Sequence, residues 1–239
     1  MKQILVIDTG SSSMRGLLFG QEGEILLTAR RTYQMRVPDE VTAVQDASDF
    51  KNSLEEICRE IADQAENEKL EISGMSLTSQ RSSVIPLSAE GEPLAEAMMW
   101  YDHRAQKICD EINRREGDRI YRICGMESSP VLSAPKMRWM KENMPEVYQS
   151  AHKLAGIQDY LLWLLTGEFV TDDSLASRGG LMDVVKRQWS EEMISLYGID
   201  REKLCRLLPV GSIAGFVRGE FAEKTGIPAG IPVVTAGGD

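Results

Sequence analysis

The start of the chain alternates between short apolar runs and polar segments, a pattern typical of β-strands joined by turns. Residues 4–7 are apolar, residues 16–19 resume the apolar pattern after a polar segment, and a third apolar run begins at residue 25. The connections are too short for a parallel crossover, which needs a dozen or more residues. We therefore predict an antiparallel meander of three strands.

The next segments predict a long helix and another strand. Apolar residues recur at helical spacing over residues 49–67, and either Asp46 or Asp49 could cap the start of this helix. Residues 72–77 then fit a strand, and polar residues follow them directly.

The remaining pattern predicts a hairpin followed by a mainly helical region. The hairpin strands are expected at residues 84–87 and 98–100, a further strand at 180–184, and a buried strand at 231–236. Because no Pro/Gly-rich linker separates these elements, we expect one mixed α/β domain with a helical insertion. The predicted helices span residues 105–115, 134–143, 159–166 and 191–197.

Charge and composition exclude several classes of function. The chain has 37 acidic and 27 basic residues, for a net charge of −10, so we expect no binding to a nucleic-acid backbone. The apolar run at residues 4–7 is too short for a signal peptide or a membrane anchor. The four cysteines show no Cys-x-x-Cys spacing, which favours reduced, buried thiols in a cytoplasmic protein.

A polar turn after the first predicted strand could hold a phosphate. Successive backbone N–H groups and hydroxyls in such a turn form an anion-binding nest, Asp8 could hold Mg²⁺, and Arg15 could neutralise phosphate charge. The same residues could instead form a Ser-rich turn that only closes a hairpin. The candidate residues of this turn are Asp8, Gly10, Ser11, Ser12, Ser13 and Arg15.

A second carboxylate follows the last predicted strand. Two glycines, Gly237 and Gly238, allow a ligand to approach the backbone before Asp239. A carboxylate in this position could accept the proton of a hydroxyl during phosphoryl transfer, although a simple turn is also compatible with these residues. Because the chain stops directly after a buried strand, we expect it to be the amino-terminal part of a longer protein.

Polar and aromatic side chains also follow two other predicted strands. A polyol needs planar hydrogen-bonding groups for its hydroxyls and an apolar surface for its C–H groups, which Arg81, Asp102 and Trp100 could supply together with Gln80. The alternative is a surface ion pair beside a core tryptophan. The sequence contains no Walker A loop, dinucleotide-binding glycine fingerprint or nucleophile elbow.

These motifs, in this order, resemble those of the FGGY carbohydrate kinases, and among them the xylulokinase-like members. The resemblance extends over the whole chain, from the Asp8 turn through Gln80 to Asp239. It implies an actin/hexokinase-like (ribonuclease H-like) α/β fold. Residues 1–239 would form the amino-terminal substrate-binding domain, and the carboxy-terminal nucleotide-binding domain would be absent from the chain.

The resemblance also implies a reaction and a role for each residue. It implies transfer of the γ-phosphate of ATP, with Mg²⁺, to a hydroxyl of an open-chain sugar or polyol. By family analogy Asp239 is the catalytic base, Asp8 organises Mg²⁺, and Ser12 and Arg15 lie near the phosphates. The residues placed where the family binds substrate are Arg81, Trp100 and Asp102. A homodimer is compatible with the sequence, which shows no coiled-coil pattern.

Departures from the family pattern leave the acceptor open. Xylulokinases usually carry Met-His where this chain has Arg81 and Ser82, whereas glycerol kinases share the arginine but follow it with Glu and have a substrate-contacting Tyr in place of Val131. The alternatives are therefore a kinase for glycerol, for gluconate or another acid sugar, or for autoinducer-2. A non-catalytic sugar-binding or actin-like module is the alternative from another class.

Overall fold

The computed structural model of the chain describes residues 2–238, and its elements are named here in chain order. The strands are β1 (Lys2–Thr9), β2 (Ser13–Phe19), β3 (Ile25–Thr32), β4 (Val44–Gln45), β5 (Glu71–Ser79), β6 (Ile85–Leu87), β7 (Ala97–Met98), β8 (Lys153–Ala155), β9 (Val170–Asp172), β10 (Met182–Asp183), β11 (Gln188–Trp189), β12 (Arg206–Leu208), β13 (Ile213–Phe216) and β14 (Pro232–Gly238). The helices are α1 (Ala47–Glu68), α2 (Gln106–Cys124), α3 (Ser133–Asn143), α4 (Pro145–Ser150), α5 (Ile157–Thr166), α6 (Asp173–Ser177), α7 (Glu191–Tyr197) and α8 (Gly219–Thr225), with a short 3₁₀ helix at Arg201–Lys203.

A six-stranded mixed sheet forms the centre of the fold, in the order β13-β14-β5-β1-β2-β3. The predicted meander is confirmed, because β2 pairs antiparallel with both β1 and β3. Strand β5 lies between β1 and β14 and runs parallel to both. The carboxyl ends of these three strands therefore meet at one edge of the sheet, where ligands bind in many parallel α/β sheets.

Helix α1 covers one face of this sheet, as its apolar spacing predicts. Asp46 caps the helix by accepting a hydrogen bond from the amide of Ser48. Gly16 on β2 permits the close approach of the helix, because a Cβ at this position would lie 2.4 Å from Cγ2 of Ile57. The buried residues Phe50, Leu54 and Ile57 thus join the core of the sheet.

The helical insertion is confirmed, and it has a hydrophobic core of its own. This second cluster lies among α2, α3, α4 and α7 and includes Ile112, Met140, Tyr148, Met193 and Tyr197. It is separate from the cluster that packs against the sheet. Helices α2, α3, α4 and α7 therefore form a second packed unit, whereas α5 packs in the core of the sheet.

Some predicted elements differ in the structure. The predicted hairpin is formed only in part. Val84 and Met98 exchange backbone hydrogen bonds as an isolated antiparallel bridge, whereas β6 pairs with β8 and β7 pairs with β4. The strand predicted at residues 180–184 is confined to β10. Helix α2 continues to Cys124 because Ile120 and Cys124 add further buried positions on the same face. Periodicity reveals the elements but not their pairing partners.

Two further expectations concern the burial of the cysteines and the presence of membrane-spanning helices. All four cysteines are free and buried, and burial raises the pKa of Cys58, Cys109, Cys124 and Cys205 above that of an exposed thiol. Across residues 2–238, no helix combines the length and apolarity needed to span a bilayer.

Candidate active site at the strand ends

The carboxyl ends of β1, β5 and β14 place the predicted motifs next to one another. Thr9 of β1 and Gly238 of β14 both pair with Ser79 of β5. Adjacent strands are separated by about 4.8 Å, so the ends of β1 and β14 lie roughly 10 Å apart across β5. Asp239 lies outside the described residues, and its role as a base stays a prediction.

The turn after β1 is a tight loop with a forked ion pair at its base. The amide of Gly10 donates to the carbonyl of Ser13 at 2.9 Å. Asp8 and Arg15 face each other across β1 and β2, and Asp8 Oδ2 accepts from Nη2 of Arg15 at 2.6 Å and from its Nε at 3.1 Å. A carboxylate here suits Mg²⁺, which usually takes one or two protein carboxylates and completes its shell with phosphate oxygens and water.

Hydrogen bonds join this turn to the segments predicted to bind substrate. The hydroxyl of Ser11 donates to Gln80 Oε1 at 3.2 Å and accepts from Trp100 Nε1 at 3.0 Å. The amide of Gln80 also donates to the carbonyl of Thr9 at 2.8 Å. Ser11, one of the predicted phosphate-binding residues, thus links the two loops through its hydroxyl. Three distant segments of sequence thus form one site.

A neighbouring tyrosine supports the same turn. Tyr33, at the end of β3, donates its hydroxyl to the carbonyl of Gly10 at 2.8 Å. Burial, and then the charge of Asp8, raise the pKa of Tyr33 far above that of a free phenol. The neutral hydroxyl therefore remains available as a donor to the turn at any physiological pH.

A pocket of about 260 Å³ opens between these loops, and its lining residues are Ser11, Gln80, Arg81, Ser82, Trp100, Val131 and Arg178. Ser82 adopts a left-handed backbone (φ 71°), which is unusual for a residue other than glycine, and its hydroxyl donates to the carbonyl of Arg178 at 3.2 Å. Such strained residues cluster at functional sites. Arg81, which lines the pocket, also packs against the end of β14, since a Cβ on Gly238 would lie 2.4 Å from Cγ of Arg81.

Asp102, one of the residues predicted to contact substrate, lies outside the lining of this pocket. Asp102 is fully buried. Its oxygens accept from Nε of Arg104 at 3.0 Å, from Nη2 of Arg104 at 2.8 Å and from the amide of Ala43 at 3.0 Å. Because its acceptor sites face inward and are occupied, Asp102 holds the segment that carries Trp100 in place.

Comparison with known proteins identifies the family. The profile described as the FGGY family of carbohydrate kinases, N-terminal domain, matches residues 3–239. The chain belongs to this family. It is 31% identical over 239 residues to the xylulose kinase of Lactococcus lactis subsp. lactis (strain IL1403), covering 100% of this chain and 48% of that protein. It is 30% identical over 240 residues to the gluconokinase of Bacillus subtilis (strain 168), covering 99% of this chain and 46% of that protein.

Solved structures of FGGY kinases agree with the fold. A glycerol kinase from Plasmodium falciparum, solved with ADP, superimposes with a TM-score of 0.94 at 25% identity, covering 100% of this chain and 49% of that chain. A gluconate kinase from Lactobacillus acidophilus superimposes with a TM-score of 0.90 at 26% identity, covering 100% of this chain and 48% of that chain. The FGGY chain described here thus spans about half the length of the relatives it matches.

Residues outside the predicted set of site residues also shape this FGGY site, although one of them, Asp172, belongs to a motif that carries the family resemblance. Asp172, the N-cap of α6, is fully buried, and its Oδ2 accepts from the amide of Gly237 at 3.2 Å and from Gln158 Nε2 at 2.8 Å. It therefore fixes the backbone just before Asp239. Arg178 enters the pocket from the loop after α6, and a single basic residue in a loop does not predict such a position. Val131 also lines the pocket, at the position where the family comparison places a substrate-contacting Tyr of the glycerol kinases.

Proposed function

We propose that this chain is the acceptor-binding half of an ATP-dependent kinase that phosphorylates a hydroxyl of an open-chain sugar or polyol. One observation carries the proposal: β1, which bears Asp8, and β14, which precedes Asp239, flank β5 and end on the same side of the sheet. This topology suits phosphoryl transfer, in which positioning and charge stabilisation supply most of the catalysis.

The proposed roles follow from the positions of the loops. An acceptor hydroxyl in the pocket would attack the γ-phosphorus of ATP, forming a new P–O bond as the bond to the departing ADP oxygen breaks. Asp239 would take the hydroxyl proton. Asp8 would hold Mg²⁺, which would neutralise charge on the phosphates, while Arg15 and the turn at residues 10–13 would bind phosphate oxygens. The adenine pocket would lie in the half of the relatives' length that this chain does not span.

The charge of the pocket favours acid sugars as a second class of acceptor. Arg81 and Arg178 both line it, and none of its lining residues between 2 and 238 is a carboxylate. Guanidinium groups bind carboxylates through paired hydrogen bonds, so an aldonate would balance this charge in a way that a neutral polyol does not. The gluconokinases among the relatives make this a chemically reasonable acceptor.

The test uses the full-length protein that contains this chain, purified and assayed for ADP formation with pentuloses, hexuloses, polyols and aldonates. We expect turnover with at least one class, and Asp239→Asn should reduce kcat by about 10² to 10⁴-fold, the usual contribution of a general base. Asp63→Asn, which changes an exposed carboxylate on α1, is the matched control and should retain activity. Absence of turnover with every acceptor, or full activity of Asp239→Asn, would refute the proposal.

A further inference from the structure

One buried charge in this protein has no place in the roles proposed above. Lys136 lies in the first turn of α3 and is fully buried. Burial of an ammonium group is costly, and the positive end of the helix dipole makes the first turn of a helix a poor place for a cation. Real proteins tend to keep such local conflicts at functional positions.

The surroundings of Lys136 show what compensates for this cost. Its Nζ donates to the carbonyls of Pro130 at 2.6 Å, Val131 at 2.7 Å and Leu132 at 3.3 Å. An ammonium group has three N–H donors, one for each carbonyl, whereas a neutral amine has only two. The lysine thus ties three consecutive peptide groups to the helix that follows them.

Two titratable groups face Lys136 and set its charge. Burial lowers the pKa of Lys136 to about 7, and the negative charge of Asp102 acts in the opposite direction. Cys109 of α2 is the other group, and burial raises the pKa of its thiol, which therefore stays neutral. The carbonyls and Asp102 thus favour the charged form of Lys136, while burial opposes it.

The segment that Lys136 holds forms a wall of the pocket, through Val131. The opposite wall, at Trp100, is connected to the same helix, because Arg104 pairs with Asp102 and its guanidinium lies 4.4 Å from the ring centroid of Trp139. Lys136 and Trp139 are three positions apart in the helix, so they lie on one side of α3. One helix therefore supports both walls.

We propose that Lys136 is a positioning residue that fixes the backbone of residues 130–132 and thereby sets the affinity of the pocket for its acceptor. The inference rests on the proposed function, since it takes this pocket as the acceptor site. Loss of the lysine should weaken acceptor binding and leave ATP binding unchanged. The reason is that the hydrogen bonds of Lys136 go to residues 130–132 and not to the turn at residues 10–13. A merely stabilising residue would not produce that separation.

The test is Lys136→Met in the full-length protein, because methionine keeps a similar length and removes the charge and the donors. We expect the acceptor KM to rise about tenfold or more while the KM for ATP stays within about twofold. Lys136→Arg keeps the charge and N–H donors, but its planar guanidinium cannot reach all three carbonyls at once, so we expect a rise in the acceptor KM smaller than that of Lys136→Met. If only one of the two variants folds, the acceptor KM of that variant tests the proposal.

The chain offers a matched control in Lys203. This lysine is also buried and donates to a backbone carbonyl, that of Ala151 at 2.6 Å, but it does not line the pocket. Lys203→Met should lower stability and leave the acceptor KM unchanged. An acceptor KM that is unchanged in Lys136→Met, or raised equally in Lys203→Met, would overturn the inference while the kinase activity of the wild type stands.

A second readout does not depend on activity. Hydrogen exchange at the amides of Val131 and Leu132 should be about tenfold faster or more in Lys136→Met than in the wild type, and unchanged in Lys203→Met. Unchanged exchange at these amides would refute the positioning role directly. If the wild type phosphorylates no acceptor, the proposed function fails, and this measurement still decides whether Lys136 holds the loop.

Discussion

The two forked arginine–carboxylate pairs near the candidate site differ chiefly in burial. Asp102 is fully buried, and Arg104, which pairs with it, has a side chain that is 20% exposed. The Asp8 side chain is 26% exposed, and that of its partner Arg15 is 57% exposed. Both carboxylates belong to segments at the ends of strands, and both were predicted to contact ligands.

The difference in burial separates a structural pair from one that is available to a ligand. An exposed pair contributes little to stability, so its members can change partners at low cost when a cation or a phosphate arrives. The members of a buried pair cannot change partners at low cost, because separating them leaves an uncompensated charge away from water. Asp102 and Arg104 therefore maintain the Trp100 segment, while the side chains of Asp8 and Arg15 are accessible from solvent.

The largest expected effect comes from breaking the buried pair. Arg104→Met should lower the free energy of unfolding by about 3 to 5 kcal/mol, because Asp102 would stay buried without its cation. Urea denaturation measures the change. The double variant Asp102→Asn, Arg104→Met removes the stranded charge as well and should recover part of the loss. A loss below about 1 kcal/mol for Arg104→Met would show that the pair is not structural.

A third carboxylate sharpens the comparison because it is buried without an arginine. Asp159 is 6% exposed, and its Oδ2 accepts from the amide of Gly156 at 2.8 Å, while Oδ1 has no hydrogen-bond partner among residues 2–238. Burial, with a further contribution from the charge of Asp172, raises the pKa of Asp159 to about 6. The folded state therefore holds this proton more tightly than the unfolded chain does.

The raised pKa makes stability depend on pH. The stabilisation from protonated Asp159 is fully present below its unfolded pKa, near 3.9, and is lost as the pH rises through about 6. Asp159→Asn cannot ionise, and its amide oxygen can still accept from Gly156. The free energy of unfolding of this variant, relative to that of the wild type, should therefore rise by about 2 to 3 kcal/mol between pH 4 and pH 7.5. Parallel pH dependence of unfolding in the two proteins would contradict the prediction.

Local patterns predicted much of the framework and part of the site. The meander, α1, β5 and β14 follow from apolar periodicity within single segments, and the parallel ends of β1, β5 and β14 then bring Gln80 and Arg81 beside the first turn. The likeness of the motif order to the FGGY kinases supplied the family, which the profile match confirms.

The remaining features depend on contacts between segments distant in the chain. The burial of Asp102 results from packing against Ala43 and the helical region, which its sequence neighbours do not specify. Arg178 reaches the pocket because the loop after α6 lies against Ser82, nearly a hundred residues earlier. The partners of β6 and β7 were missed for the same reason, since strand periodicity fixes a face but not a neighbour.

The smallest expected effect on stability comes from breaking the exposed pair. Arg15→Met should change the free energy of unfolding by no more than about 1 kcal/mol, because solvent screens the pair and Asp8 stays hydrated when its partner is removed. Under the proposed function, the same variant should lower kcat/KM for ATP about tenfold or more, since a guanidinium that neutralises phosphate charge is lost. Urea denaturation and steady-state kinetics on the full-length protein separate the two effects. A stability loss as large as that of Arg104→Met, with ATP kinetics unchanged, would reverse the comparison and make Asp8–Arg15 the structural pair.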